Sequence, residues 1–276
     1  MKKDRLSISS WSVHRLLGLS QWTVWDETAS GQTVHAEDGE TSVALLDLPR
    51  EAAQRGFRYL ELCHFHLPTV EEPYISQLRE AIESAGITLH TLLIDYGDLS
   101  SPDPVRRSSD EAFIQHWIDV AARLGASAVR VVAGEQQAGD AEAIARSAAS
   151  LQRLHRYGQE NGGVEVVTEN FRELTATLSS WQTVMEAAGS RVRTIVDFGN
   201  MMPEEKEAAI AYGAPIAYTI HAKPEYRVDG SIDEEELRRS MSIAEAHGCE
   251  APVSVIFDHE GDVWEGIERI AKAIVS

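Results

Sequence analysis

At 276 residues, with 43% hydrophobic and 25% charged side chains, the chain has ordinary globular composition and enough apolar material for a large core, which excludes extensive disorder. Forty-four acidic against twenty-five basic residues give a formal charge of -19, which repels phosphate backbones and anionic lipid surfaces and argues against nucleic acid as a partner. Cys63 and Cys249, far apart and in no metal-type spacing, indicate neither a disulfide framework nor a structural zinc site.

The N-terminus runs through Lys2, Lys3 and Asp4 straight into a strand-like segment without an apolar leader core, and no run reaches membrane-spanning length. The expectation is a cytoplasmic protein with no membrane partner, folded as one domain over residues 1–276. The first strand is read at 6–11. Residues 18–42, polar and carrying Trp22 and Trp25, show no clear period and read as an extended first loop that either covers the mouth of the fold or is a tolerated surface insertion. A helix over 43–55 and a strand over 57–63 follow, then a helix over 73–85 and a strand over 87–94 that ends at Asp95. The fourth helix–strand pair spans 110–133, and a long helix over 140–161 leads to the strand 164–170. Strands at 194–200 and 218–223 and helices near 173–187, 203–211, 232–247 and 263–275 complete the set. Ser231 followed by Glu234 predicts a capping box at the 232–247 helix.

Gly56, Gly86, Gly125, Gly163, Gly189, Gly213 and Gly248 each close a helical pattern just before a strand-like run, as helix C-terminal caps do. Seven such crossings imply eight strands. Strand–helix alternation of this regularity calls for a parallel sheet, and eight repeats call for closure into a single (β/α)8 TIM barrel. An open doubly wound sheet is the alternative, but neither a dinucleotide fingerprint nor a P-loop is present to support it.

Three consecutive strands end on chemistry-bearing groups: Glu169 and Asn170, then Asp197, then His221 and Lys223. In a parallel α/β fold these C-terminal strand ends are where the active site assembles. Residues two apart share a strand face, so Glu165, Val167 and Glu169 point the same way, and adjacent strands lie about 4.8 Å apart. Glu169, Asp197 and His221 can therefore meet around one divalent ion; two carboxylates and an imidazole suit Mn²⁺, Mg²⁺, Zn²⁺ or Co²⁺ with positions left for substrate. Singly, each is read as well as a helix cap or a salt-bridge partner.

The first-strand run from Leu6 to His14, the strand ends Thr168-Glu169-Asn170, Asp197-Phe198-Gly199-Asn200 and His221-Ala222-Lys223, and the closing Trp264-Glu265-Gly266-Ile267 resemble the xylose isomerase-like sugar phosphate isomerase/epimerase superfamily over the whole chain. The resemblance is specific for fold and metal site and unspecific for substrate. It implies metal ligands at Glu169, Asp197 and His221, with a fourth expected from the last strand. There the sequence departs: Ile256 stands at the family's glutamate position. Either Asp258, two residues farther toward the mouth with the same parity, is the substitute ligand, or the fourth ligand is lost.

The family's epimerases place two metal-bound carboxylates on opposite faces of the substrate. Here the resemblance makes Glu169 the secure base and Asp258 the candidate second one. One-base chemistry, isomerisation or elimination of water from a keto-polyol, is the easier fit. Around the same mouth, Glu61, His64 and His66 end the second strand, and Glu61 and His66 are implied as substrate-side groups. Lys223 and Arg227 are expected to hold a phosphate or hydroxyl, and His14, Trp11 and Trp22 to line the apolar side of a sugar site, with core packing the plainer reading for Trp11 and a solvent-facing loop that for His64.

The leading expectation is a metal-dependent isomerase or epimerase of a sugar or polyol. The same site as a dehydratase, and a degenerate barrel kept for binding, are the alternatives. The endonuclease branch of the fold is disfavoured by Asn200, where that branch carries histidine, and by the negative charge. The first loop, with its two tryptophans, also offers a contact surface for a homodimer.

Overall fold

In the computed structural model, which describes residues 1–275, the strand–helix alternation closes on itself. The chain runs β1 (Leu6–Ser9), a short α1 (His14–Leu17), β2 (Leu19–Asp26), β3 (Gly31–Asp38), α2 (Leu48–Gln54), β4 (Tyr59–Cys63), α3 (Glu72–Ala85), β5 (Thr88–Leu93) and α4 (Pro104–Leu124). It continues through β6 (Ala128–Arg130), α5 (Ala141–Glu160), β7 (Glu165–Glu169), α6 (Leu178–Ala188), β8 (Arg193–Asp197), α7 (Lys206–Gly213), β9 (Ala217–Ala222), α8 (Glu234–Ala246), β10 (Val253–Val255) and α9 (Val263–Val275). Eight strands form a closed parallel barrel in the order β1-β10-β9-β8-β7-β6-β5-β4.

Closure depends on β1, which pairs with β10 (Leu6 opposite Val253) and with β4 (Ser7 opposite Tyr59). Beyond the last paired residues the Ser12 hydroxyl carries the seam on, donating to the Val255 carbonyl at 2.8 Å and accepting from the Phe257 amide at 2.9 Å. At the other end, the Arg5 guanidinium donates to the Ala251 carbonyl at 2.9 Å. The Ser12 contacts are buried and the Arg5 contact part-buried; both satisfy polar groups that β1, being short, does not pair through its own ladder.

Helix starts follow side-chain caps. Asp103, Asp140 and Thr177 accept from the first-turn amides of α4, α5 and α6. At α8 the expected capping box is replaced: Asp233 accepts from the Glu236 amide at 3.2 Å, while the Ser231 hydroxyl turns back to Asp229 at 2.6 Å. Of the seven punctuating glycines, six take positive φ, but Gly213 does not. It is the last residue of α7, and a Cβ there would meet the Trp181 ring at 2.5 Å and Val196 at 2.7 Å; glycine is needed for close helix–sheet approach, not for a left-handed turn.

Residues 18–42, read as a loop without period, contain an antiparallel ribbon, β2 against β3. Asp26 starts its turn by accepting from the Thr28 and Ala29 amides, and Ser30 (φ 49°) and Gly31 complete it. The ribbon's alternation is hard to see in sequence because neither face is fully buried.

Two apolar cores result. The larger lies between barrel and helices, and α9 contributes Val263, Ile267, Ile270 and Ile274 to it. The smaller fills the barrel with Cys63, Phe65, Leu93, Ala128, Val167, Ile195 and Tyr218, capped by Trp11 and Trp22. The site sits on top of this plug. Among the described residues no helix is long and apolar enough to cross a membrane.

Candidate active site

The C-terminal strand ends open into a cleft of about 280 Å³. On its floor Glu169, Asp197 and His221, all buried, bring one ligating atom each within 4.8 Å of one another. Strand register explains the convergence: Asp197 of β8 lies directly opposite His221 of β9, and β7 pairs with β8 up to Glu169 and Ile195. Asn170 extends that last pairing as a peptide mimic. Its side-chain oxygen accepts from the Asp197 amide at 2.8 Å and its amide nitrogen donates to the Asp197 carbonyl at 2.9 Å. The aspartate side chain is then aimed by the Gly199 amide, which donates to Oδ1 at 2.6 Å and leaves Oδ2 facing His221.

The two nitrogens of His221 have different surroundings. Nε2 lies 2.9 Å from Oε2 of Glu61, a residue with no exposed surface beneath the cleft floor on β4. Nδ1 lies 3.5 Å from both Glu169 Oε1 and Asp197 Oδ2. Burial disfavours the imidazolium, but Glu61, Glu169 and Asp197 together outweigh it and raise the His221 pKa well above the usual histidine range. Glu61 in turn is held below the usual carboxylate range, His221 outweighing burial. With Glu61 accepting from Nε2–H, Nδ1 and its two carboxylate neighbours could together hold a cation. Two oxygens and one imidazole nitrogen fit a divalent ion with open positions.

A residue the strand-end reading passed over completes the floor. Arg130, the last residue of β6, is buried, with its Nε 3.0 Å from Glu169 Oε2, a close charge contact without hydrogen-bond alignment. The same guanidinium forms an ion pair with Asp95 and donates to the Ile94 carbonyl at 3.2 Å. Asp95 is held below the usual carboxylate range because Arg130 and His64 outweigh its burial. The sequence signal for Arg130 was available: a charged residue ending an otherwise apolar strand at the mouth parity.

The other anticipated residues divide. Lys223 and Asp258 both line the cleft, but they pair with each other, Nζ to Oδ2 at 2.6 Å, and Asp258 is not in the ligand cluster. Ile256 lines the same cleft. Trp11 and Trp22 also line it, Trp22 packing on Phe65 with ring centroids 4.2 Å apart. His14 stacks on Trp11 outside the lining, its Nδ1 2.7 Å from the Trp11 carbonyl. His66 is buried against Ser10, Nδ1 to Oγ 2.9 Å, and burial pushes its pKa down to about 3. His64 is not a solvent-facing loop residue; it is buried edge-on to Trp117 and Phe113 because the chain turns inward after β4. Arg227 points away to Asp233, 3.1 Å distant, held by the turn that pairs Tyr226 with Ile232. It lies outside the cleft lining, six residues on from His221 being too far along a loop that folds back on itself. Phe171 and Arg172, just past the β7 end, line the cleft and had not been singled out.

Residues 49–273 match the family model described as xylose isomerase-like TIM barrel, and the chain belongs to that family. No curated protein matches it by sequence. Solved structures share the fold at low identity. A probable 3-DHS dehydratase, AsbF of Bacillus anthracis, superposes with TM-score 0.70 at 12% identity, covering 98% of both chains. A D-psicose 3-epimerase of Clostridium cellulolyticum crystallised with D-tagatose gives 0.63 at 17%, covering 98% of this chain and 95% of that one. A xylose isomerase-like TIM barrel protein of Mycobacterium smegmatis in complex with magnesium gives 0.61 at 16%, covering 83% and 88%.

Proposed function

We propose that this protein is a divalent-metal-dependent isomerase or epimerase of a sugar or polyol, working by proton transfer next to a carbonyl. The observation that carries the reading is the buried Glu169–Asp197–His221 cluster under a cleft walled by tryptophans. The names of the structural neighbours, a ketose epimerase and a magnesium complex among them, support it. Glu169, Asp197 and His221 would hold the ion, which would polarise the substrate carbonyl and stabilise the negative charge that develops on deprotonation. Glu169 takes the proton. Asn200 donates to one carboxylate oxygen of Glu169 at 3.3 Å, and the Arg130 charge lies 3.0 Å from the other. Trp11 and Trp22 exclude water from the apolar side, and Lys223, held by Asp258, faces the substrate from the β9–β10 wall.

Ile256 in the wall favours a one-base reaction, and the same geometry serves loss of water from a keto-polyol, which is the second reading. The test is metal analysis together with solvent exchange. The Mn²⁺-loaded protein is incubated with ketoses and polyol ketones in D₂O, and C–H exchange and product formation are followed by NMR. Exchange that depends on Mn²⁺ and disappears in Glu169→Gln supports the reading; product lacking the elements of water identifies the dehydratase. A protein that cannot be loaded with any divalent ion sinks it and leaves a binding role.

A further inference from the structure

Arg172 is out of place twice over. Its backbone sits at φ 69° and ψ 179°, a region occupied almost only by glycine. Its side chain lines the cleft, with the guanidinium carbon 4.9 Å from the centre of the Phe171 ring. Arg130 approaches the same ring, its guanidinium carbon 5.1 Å from the centre, so Phe171 props both arginines at the cleft. The other cleft cations are already matched: Arg130 to Asp95 and Glu169, Lys223 to Asp258. Among the described residues Arg172 alone of these three forms no salt bridge; its charge acts on Asp95 only from a distance, as the least of the influences that hold that carboxyl down. In a chain of formal charge -19, a guanidinium without a salt bridge on a strained backbone at the cleft is unusual.

Building on the function proposed above, we infer that the substrate is anionic: a keto-polyol bearing a carboxylate or phosphate that Arg172 receives at the β7 side of the cleft. A ring-supported guanidinium keeps its N–H fork free and pre-set for bidentate contact with either oxyanion. Asp95 and Glu169 are engaged by Arg130 and Asp258 by Lys223, which leaves the Arg172 guanidinium at the rim without a salt bridge of its own. The glycine-like backbone turns the chain sharply after Asn170 and sets the side chain over the cleft three residues from Glu169.

The test is calorimetric titration of the Mn²⁺-loaded protein with D-fructose, D-fructose 6-phosphate and 5-keto-D-gluconate. At least one anionic probe is expected to bind about tenfold or more tighter than D-fructose, as a charge-assisted contact gives, with the advantage shrinking at high salt. Whichever anion wins identifies the group. Arg172→Ala and Arg172→Gly lose the advantage, Arg172→Lys keeps part of it, and all three bind Mn²⁺ as the parent does. Arg172→Gly also melts at a higher temperature, because glycine relieves the strain. Anionic probes that bind no tighter than D-fructose, or not at all, to a protein that holds Mn²⁺ overturn the inference and leave the proposed function standing. Failure to bind Mn²⁺ removes both.

Discussion

Glu61→Gln is the sharpest test of how the floor of the cleft works. Glu61 is fully buried, does not line the cleft, and reaches His221 Nε2 at 2.9 Å. Its carboxylate keeps the Nε2 proton in place and so leaves Nδ1 as the ligating nitrogen, while making that nitrogen more basic. Glutamine preserves volume and an acceptor oxygen but removes the charge. Converting a charge-assisted hydrogen bond to a neutral one forfeits roughly 1–2 kcal/mol, and loss of such supporting partners typically weakens metal binding about 10–100-fold. We expect the Mn²⁺ Kd of Glu61→Gln to rise within that span, measured by calorimetry at a pH above the His221 titration, where no proton competes with the ion, with circular dichroism confirming the fold.

The pH dependence carries a second signature. In the metal-free protein the raised His221 pKa means a proton must leave before the ion binds, so affinity falls as pH drops. Removing the Glu61 charge lowers that pKa and moves the fall to more acid pH. A Kd within twofold of the parent and an unshifted pH profile would refute the assignment of Glu61 as the group that orients His221.

Arg130→Met strands the buried carboxylate of Glu169 and the half-buried one of Asp95 and is expected to cost about 3–5 kcal/mol in urea denaturation, partly restored by adding Asp95→Asn; a loss under 1 kcal/mol contradicts the pairing. Asp258→Asn should keep its full complement of Mn²⁺ by elemental analysis, because Asp258 is tied to Lys223 and sits apart from the ligand cluster, whereas Glu169→Ala and Asp197→Ala should come out empty. His64 titrates near a pKa of about 4 in the fold, burial outweighing the attraction of Asp95, against 6.5 unfolded. The unfolded chain therefore binds the extra proton first, and stability present above pH 6.5 is lost as pH falls toward 4. The contribution is on the order of 3 kcal/mol, and it should disappear from the pH–stability curve of His64→Gln.

The sequence by itself determined the barrel, since strand and helix periods and the glycine stops between them are local signals, each repeated at every crossing. It also determined that Glu169, Asp197 and His221 end successive strands, because parity along a strand is a matter of counting by twos. Tertiary structure alone decided what meets them. Glu61 and His221 are 160 residues apart and touch only once β1 has closed the ring between β4 and β10. Arg130 reaches Glu169 across the neighbouring strand, and Asp258 is drawn to Lys223 because both overhang the same wall. Arg227, plausible by spacing, was lost to a turn whose shape is set by the Asp229–Ser231 contacts, and Gly213 proved to serve Trp181 rather than a cap. Side-chain pairing in a barrel is fixed by register and closure, which bring together residues that no window of sequence contains.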